Sequence, residues 1–393
     1  MKSLKRSKNR AIFISEEAYG TLLLIQNRVL GPYTRLMSEK DAAKIVNGRF
    51  EGEPMPYAYT FAPEGKRNQE VIQTAKKGEK IDLVMNGDTV GHLVVSEIYP
   101  IKNPQNSIFL ARGVAVGEQR SAGEFGVSGE FEIYDDDLAP YREMVEQNIR
   151  EAGARKITVL TLTADPFNRM HERLVRMTID KADLTIVFLI RTFGSDGRLS
   201  FALRLRMLRY FRDNFIAGNR LIIVPFEHTY LFSDHINPVL ECIAAKNFGA
   251  TKLVVGQNHA GIGMYFDGNQ ANTVLDKYSS DLGLEIIVMP ELVYCDVCRT
   301  IVSTKTCPHG SYHHIKYHAH TIKELLFNGL MPPAILMRKE ISAMILDELF
   351  PARFADLQRL YDDLFPNQGI IEKHTQAEFY KRLGELYQTT SLN

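Results

Sequence analysis

Ile157-Thr-Val-Leu-Thr-Leu-Thr163-Ala164-Asp165-Pro166-Phe167-Asn168-Arg169-Met170-His171-Glu172 reads as a buried strand, a tight turn and the start of a helix. The β-branched run to Thr163 suits an enclosed strand, Asp165-Pro166 is turn chemistry, and Glu172-Arg-Leu-Val-Arg-Met resumes helical spacing. Backbone N–H groups and polar side chains at such a junction face the open end of a sheet, where α/β proteins bind phosphates. Downstream the pattern repeats. Apolar strands at Leu184 to Ile190, Leu221 to Val224, Leu253 to Val255 and Ile286 to Met289 alternate with helical segments, as in a parallel doubly wound sheet. A second strand-end turn, Gly256-Gln257-Asn258-His259-Ala260-Gly261, is rich in glycine and polar groups, so its backbone can approach a phosphate closely. It lacks the Lys-Ser/Thr of a P-loop. Both turns are expected on one sheet edge. The helix after Ser200 carries Arg204, Arg206, Arg209 and Arg212 on different faces, which predicts mostly solvated arginines.

Upstream, the texture changes near residue 140. Tyr57 to Phe61, Ile81 to Met85 and Val90 to Tyr99 read as strands, with Asn86-Gly87 as a hairpin turn. Gly-rich Arg112 to Gly129 reads as a loop, and Pro140 to Ala152 as a linking helix. Three regions follow: a β-rich domain over 1–140, a parallel-sheet domain over 141–292, and a small segment over 293–393. The last is helical after Thr321 and carries no chemical signal in its helices.

Composition limits the classes of function. Hydrophobic residues at 45% and charged ones at 24% describe an ordinary soluble globular chain. Lys+Arg and Asp+Glu both number 47, which excludes a global basic field directed at nucleic acid or membrane. The basic start, Met1 to Arg10, has neither a signal-peptide core nor a spanning apolar run, so the chain is expected in the cytoplasm. Three of four cysteines cluster in Cys295-Asp-Val-Cys298…Cys307-Pro-His309…His313-His314. A C-x-x-C knuckle aims two thiolates at one ion, and a third cysteine with a histidine completes the tetrahedral set of structural zinc. Four protein ligands leave no open position, so the expected role is structural. The crowd of histidines leaves the fourth ligand open among His309, His313 and His314. Cys242 reads as a buried structural cysteine.

These pieces, in this order, resemble the ATP sulfurylase (sulfate adenylyltransferase) family. Pro166-x-x-Arg169-x-His171-Glu172 falls on the family's Q-T-R-N-P-x-H-R-x-H-E motif, and Gly256-x-x-His259-Ala260-Gly261 on its G-R-D-H-A-G loop. Asn27 to Met37 resembles an N-terminal family segment, Lys77 to Tyr99 its PUA-like β domain, and Ser303-Thr-Lys-Thr-Cys-Pro-His309 its zinc segment. The resemblance implies a PUA-like first domain, a Rossmann-like nucleotidyltransferase domain and a zinc-containing C-terminal part. It further implies AMP transfer from Mg-ATP to sulfate, with release of pyrophosphate, and a homodimer. On it, His171 and His259, with Asn168 at the first motif histidine, are the catalytic candidates. Thr163, Asp165, Gly256, Gln257, Asn258, Ala260 and Gly261 are the nucleotide-binding ones, and His314 aligns best as fourth zinc ligand beside Cys295, Cys298 and Cys307.

The departures concentrate on the acceptor. The family's sulfate-contacting Gln and Arg align with Leu162 and Ala164, and its Asn with Asp165. Each lost charge-assisted hydrogen bond costs roughly 1.5–3 kcal/mol, and Asp165 is expected to repel sulfate. Arg169, Arg173 and Arg191 are the candidate replacements. Three functions fit: adenylyl transfer to sulfate, nucleotidyl transfer to a different acid or oxyanion, and a non-catalytic nucleotide- and zinc-binding relative.

Overall fold

A computed structural model describes residues 9–45, 49–55, 58–101, 123–191, 197–229, 231–232, 238–256, 276–365 and 372–387, with backbone alone at 107–109, 238 and 276–278. Two compact units result, residues 1–162, 181–194 and 218–289 in one and 163–180, 195–217 and 290–393 in the other. The expected boundary at 140 falls inside the first unit, and the expected middle domain is shared between both.

The first unit opens with β1 (Ala11–Phe13), α1 (Glu16–Gln26), α2 (Glu39–Ala43) and two short strands, β2 (Arg49–Phe50) and β3 (Glu53–Pro54). It continues through β4 (Ala58–Thr60), α3 (Lys66–Thr74), β5 (Lys80–Met85), β6 (Asp88–Pro100), β7 (Ser107–Phe109) and β8 (Phe125–Ile133). A four-stranded sheet runs β1-β5-β6-β8, and the β5–β6 hairpin turns on Asn86-Gly87, with φ of 53° and 93°, as the dipeptide predicts. Ser38 caps α2 reciprocally with Asp41. Of the glycine-rich stretch expected as a loop, residues 112–122 lie outside the described residues, and the part after residue 124 departs from that reading. Phe125 to Gly129 is strand, because β8 lies so close to β6 that a side chain at Gly129 would run into the Val94 carbonyl.

After α4 (Ala139–Ala152) the same unit builds a second sheet from β9 (Ile157–Leu162), β10 (Leu184–Ile190), β11 (Leu221–Phe226), β12 (Lys252–Gly256) and β13 (Glu285–Met289). All pairs are parallel and the order is β11-β10-β9-β12-β13. Every residue of β10 is buried, which explains its unbroken apolar run. The order reverses between β9 and β12, so the sheet's topological switch point lies between the strands whose exits were singled out in the sequence. Helices α7 (Pro238–Asn247) and α8 (Asp276–Leu282) belong here too, and Cys242 is fully buried on α7.

The second unit contains α5 (Arg169–Ile179) and α6 (Phe201–Phe215), then a three-stranded sheet of β14 (Leu292–Cys295), β15 (Thr300–Ser303) and β16 (His314–Lys316). Helices α9 (Ala319–Phe327), α10 (Lys339–Leu349), α11 (Leu357–Leu364) and α12 (Gln376–Leu386) follow. Tyr361, Phe365 and Phe379 form a small core of their own. Among the described residues, no helix is long and apolar enough to cross a membrane.

Candidate functional site

The chain leaves β9 through Thr163 and Ala164, whose φ of 49° is costly for a residue with a Cβ. Phe167 is wholly buried, 5.7 Å from the His171 ring in a stacked arrangement and 5.0 Å from Phe211. Asn168 then caps α5. Its Oδ1 accepts from Met170 N at 3.0 Å and His171 N at 3.2 Å, while Arg169 N donates to Leu336 O and Glu172 N to Asn168 O. Every backbone donor of the first helical turn is therefore satisfied internally, contrary to the expectation that these N–H groups face a ligand. What is left is a side chain. Asn168 is 1% exposed, its cap fixes which end of the amide is oxygen, and its Nδ2 has no partner among the described residues. A buried amide donor without an acceptor is rare enough to need a reason.

His171 completes the cap. Its Nδ1 accepts from Asn168 N at 3.2 Å, which assigns the ring proton to Nε2. The ring keeps some exposed area, yet its dense surroundings push its pKa down to about 4 through burial. At neutral pH this histidine is an uncharged N–H donor.

The two acidic residues of the motif are committed elsewhere. Asp165, 7% exposed, accepts from Leu199 N at 3.1 Å and from Lys323 Nζ at 3.0 Å, with Arg198 Nη1 at 3.8 Å. Its charge is compensated, so the expected repulsion of an anion does not hold. Glu172 accepts from Arg338 Nε at 2.7 Å and Arg169 Nη1 at 3.3 Å. Arg169 also donates to Ala334 O, and in the first unit Arg191 pairs with Glu16 at 2.7 Å, so neither is an idle replacement cation. Arg173 is exposed. Arg204, expected in solvent, is 3% exposed and donates to Thr163 O at 2.7 Å. Residues 34 to 166 positions away thus supply hydrogen-bond partners of this turn, and no local spacing announces them.

In the first unit Gly256 ends β12, beside β9. Gln257, Asn258, His259, Ala260 and Gly261 lie outside the described residues. A charged group gathers where β11 ends. His228 Nδ1 lies 3.3 Å from Glu16 and Nε2 lies 3.2 Å from Asp137, and these contacts raise its pKa.

Farther along, Cys295 closes β14, Cys298 follows in the turn, and Cys307 and His309 approach from the segment after β15. The four ligand atoms lie within 4.8 Å of one another. His309 Nδ1 is 3.5, 3.3 and 3.5 Å from the sulfurs of Cys295, Cys298 and Cys307. Cys298 and Cys307 sulfurs are 3.9 Å apart. A tetrahedron with Zn–S of roughly 2.3 Å and Zn–N of roughly 2.0–2.1 Å has edges of about this length. His309 stands where His314 was expected. His314 is a strand residue opposite Cys295, and its buried Nε2 has no partner among the described residues. His313 pairs with Asp296 at 2.9 Å.

A parallel sheet with a reversal of strand order, and a capped helix following its central strand, defines a doubly wound α/β protein. Residues 138–348 match ATP-sulfurylase, and the chain belongs to that family. It is 25% identical over 351 residues to the sulfate adenylyltransferase of Chloroflexus aurantiacus, spanning 85% of this chain and 90% of that one. The corresponding enzyme of Deinococcus deserti is 24% identical over 355 residues, 86% and 89% of the two chains. Among solved structures, the hexameric APS kinase from Thiobacillus denitrificans superposes with a TM-score of 0.63 at 17% identity. That match covers 88% of this chain and 64% of that one, less than two thirds of its length, and it shows a shared fold.

Proposed function

We propose that this chain is a nucleotidyltransferase that uses Mg-ATP and transfers AMP to a small oxyanion, with sulfate the first candidate. The observation that carries the reading is the buried, unpartnered Nδ2 of Asn168 at the start of α5. An anionic phosphate oxygen is the acceptor such a donor lacks, and the helix dipole favours it there. Neutral His171 would add its Nε2–H, and on the family resemblance His259 and the residues from Gly256 to Gly261 are further candidates for nucleotide contact. An acceptor oxygen attacks the α-phosphorus, the bond from that phosphorus to the bridging oxygen breaks, and pyrophosphate departs. Little covalent work falls to the protein, so rate comes from position and from donors aimed at the phosphates.

The acceptor has a second reading. Leu162 and Ala164 are 5% and 0% exposed and offer no donor, where the family's sulfate contacts align. An acceptor that needs fewer charged contacts than sulfate suits that side of the turn. The deciding experiment is pyrophosphate release from Mg-ATP with sulfate and then with a panel of oxyanions and carboxylic acids, comparing wild type with His259→Ala. Acceptor-dependent release abolished by the substitution is expected. ATP binding without release for any acceptor would leave only a non-catalytic relative.

Cys295, Cys298, Cys307 and His309 would hold a zinc ion, whose contribution is to close the knuckle around β14. Three thiolates and one imidazole nitrogen fit that ion in donor type and in spacing.

A further inference from the structure

We infer that Lys323, on α9, is a positioning residue for the nucleotide site, acting through Asp165 on the turn that ends at Asn168; the functional half of this inference rests on the reading given above. The ammonium Nζ of Lys323 donates to two different loops at once, to Asp165 Oδ2 at 3.0 Å and to Gly197 O at 2.9 Å. Asp165 reaches back across the same gap, its Oδ1 accepting from Leu199 N at 3.1 Å. The turn that follows β9 and the segment that leads from β10 into α6 are thereby clasped together by three hydrogen bonds meeting at one carboxylate and one ammonium.

Side-chain exposures are 6% for Asp165 and 18% for Lys323. A buried ion pair is a poor source of stability, because removing both charges from water offsets most of their attraction. It is a good source of geometry, since each partner tolerates few arrangements of its hydrogen bonds. The geometry that it fixes is that of the next three residues: Pro166, the buried Phe167, and Asn168 with its orphan amide. Arg204 holds the same turn from its other end through Thr163 O. A phosphate donor displaced by a fraction of an ångström loses its value in a transition state, so the effect of Lys323 appears in turnover as well as in stability.

The test uses Lys323→Met, which keeps the aliphatic stem and removes the charge, and Lys323→Arg, whose guanidinium can still reach two acceptors. Asp165→Asn perturbs the clasp from the other partner should the methionine variant fail to fold. Hydrogen exchange read by mass spectrometry is expected to rise in 163–168 and 197–199 together in the methionine variant, with a lowered melting temperature because Asp165 is left buried without its ammonium. Pyrophosphate release should fall by about tenfold or more in kcat, with a smaller change in KM for ATP and recovery in the arginine variant to within a few fold of wild type. Unchanged exchange in either segment overturns the clasp. Raised exchange with wild-type turnover, or an arginine variant as slow as the methionine one, overturns the positioning role. Wild-type chain that releases no pyrophosphate with any acceptor sinks the function proposed above and the positioning role with it, while the exchange data still decide whether the clasp exists.

Discussion

The turn over 163–172 and the knuckle over 295–309 both stand out in the sequence, and they differ in where their partners come from. The knuckle is local. Its four candidate ligand atoms come from a span of 15 residues, so residue type and spacing suffice to find the three cysteines. The turn is assembled from a distance: Asp165 finds Lys323 158 positions away, and Glu172 finds Arg338 166 positions away. A short-range motif can be read from a chain, whereas charge compensation across a fold cannot.

The largest expected effect tests the local half. A strong chelator, or Cys298→Ser, should remove about one zinc per chain and destabilise the second unit by on the order of 5–10 kcal/mol, read from metal analysis and denaturant unfolding. Wild-type chain free of zinc and indifferent to chelator would dissolve the contrast. The assembled half comes next. Glu172→Ala strands Arg338 and Arg169 beside an empty position and should cost about 3–5 kcal/mol in urea unfolding. A change under about 1 kcal/mol would mean that the two arginines have solvent to turn to.

Two histidines sharpen the comparison through pH. The folded-state value of His171, about 4, lies below its unfolded value near 6.5. The unfolded chain therefore takes up the proton first, and stability should fall as pH drops from 6.5 towards 4, by up to roughly 3 kcal/mol. His171→Gln should flatten that loss, and an identical acid limb in both proteins would refute the buried neutral ring. His228 has the opposite sign. Glu16 and Asp137 raise its folded value, so its contribution is full below the unfolded value and fades as pH rises through the folded one. Because Asp137 is largely exposed, this is worth under about 1 kcal/mol. His228→Gln should melt below wild type at pH 5.5 and close to it at pH 9.

Much of the second sheet was legible. The strands expected at Ile157 to Leu162 and Leu184 to Ile190 have those bounds, and the others differ by one or two residues at their ends, because the inner strands of a parallel sheet are covered on both faces and read as apolar runs. The glycines of β8 misled, since in a strand they serve close packing and in a loop they serve turns. At the candidate site, Asn168 was singled out by its alignment with the first motif histidine. Its cap was not foreseen, and the cap is what occupies Oδ1 and leaves the buried Nδ2 as the group without a partner at a satisfied helix end. His309 was passed over for His314 because alignment order ranked them, whereas proximity to three sulfurs is a matter of how the Cys307-Pro-His309 turn folds.

The central claim is that Asn168 Nδ2 is a phosphate donor, and Asn168→Asp tests it most directly. Aspartate caps a helix as well as asparagine does, so α5 is preserved, while the orphan N–H becomes a carboxylate oxygen. Calorimetric titration of the folded variant with Mg-ATP should show affinity at least about tenfold weaker than wild type. Equal affinity in the two proteins would contradict the assignment.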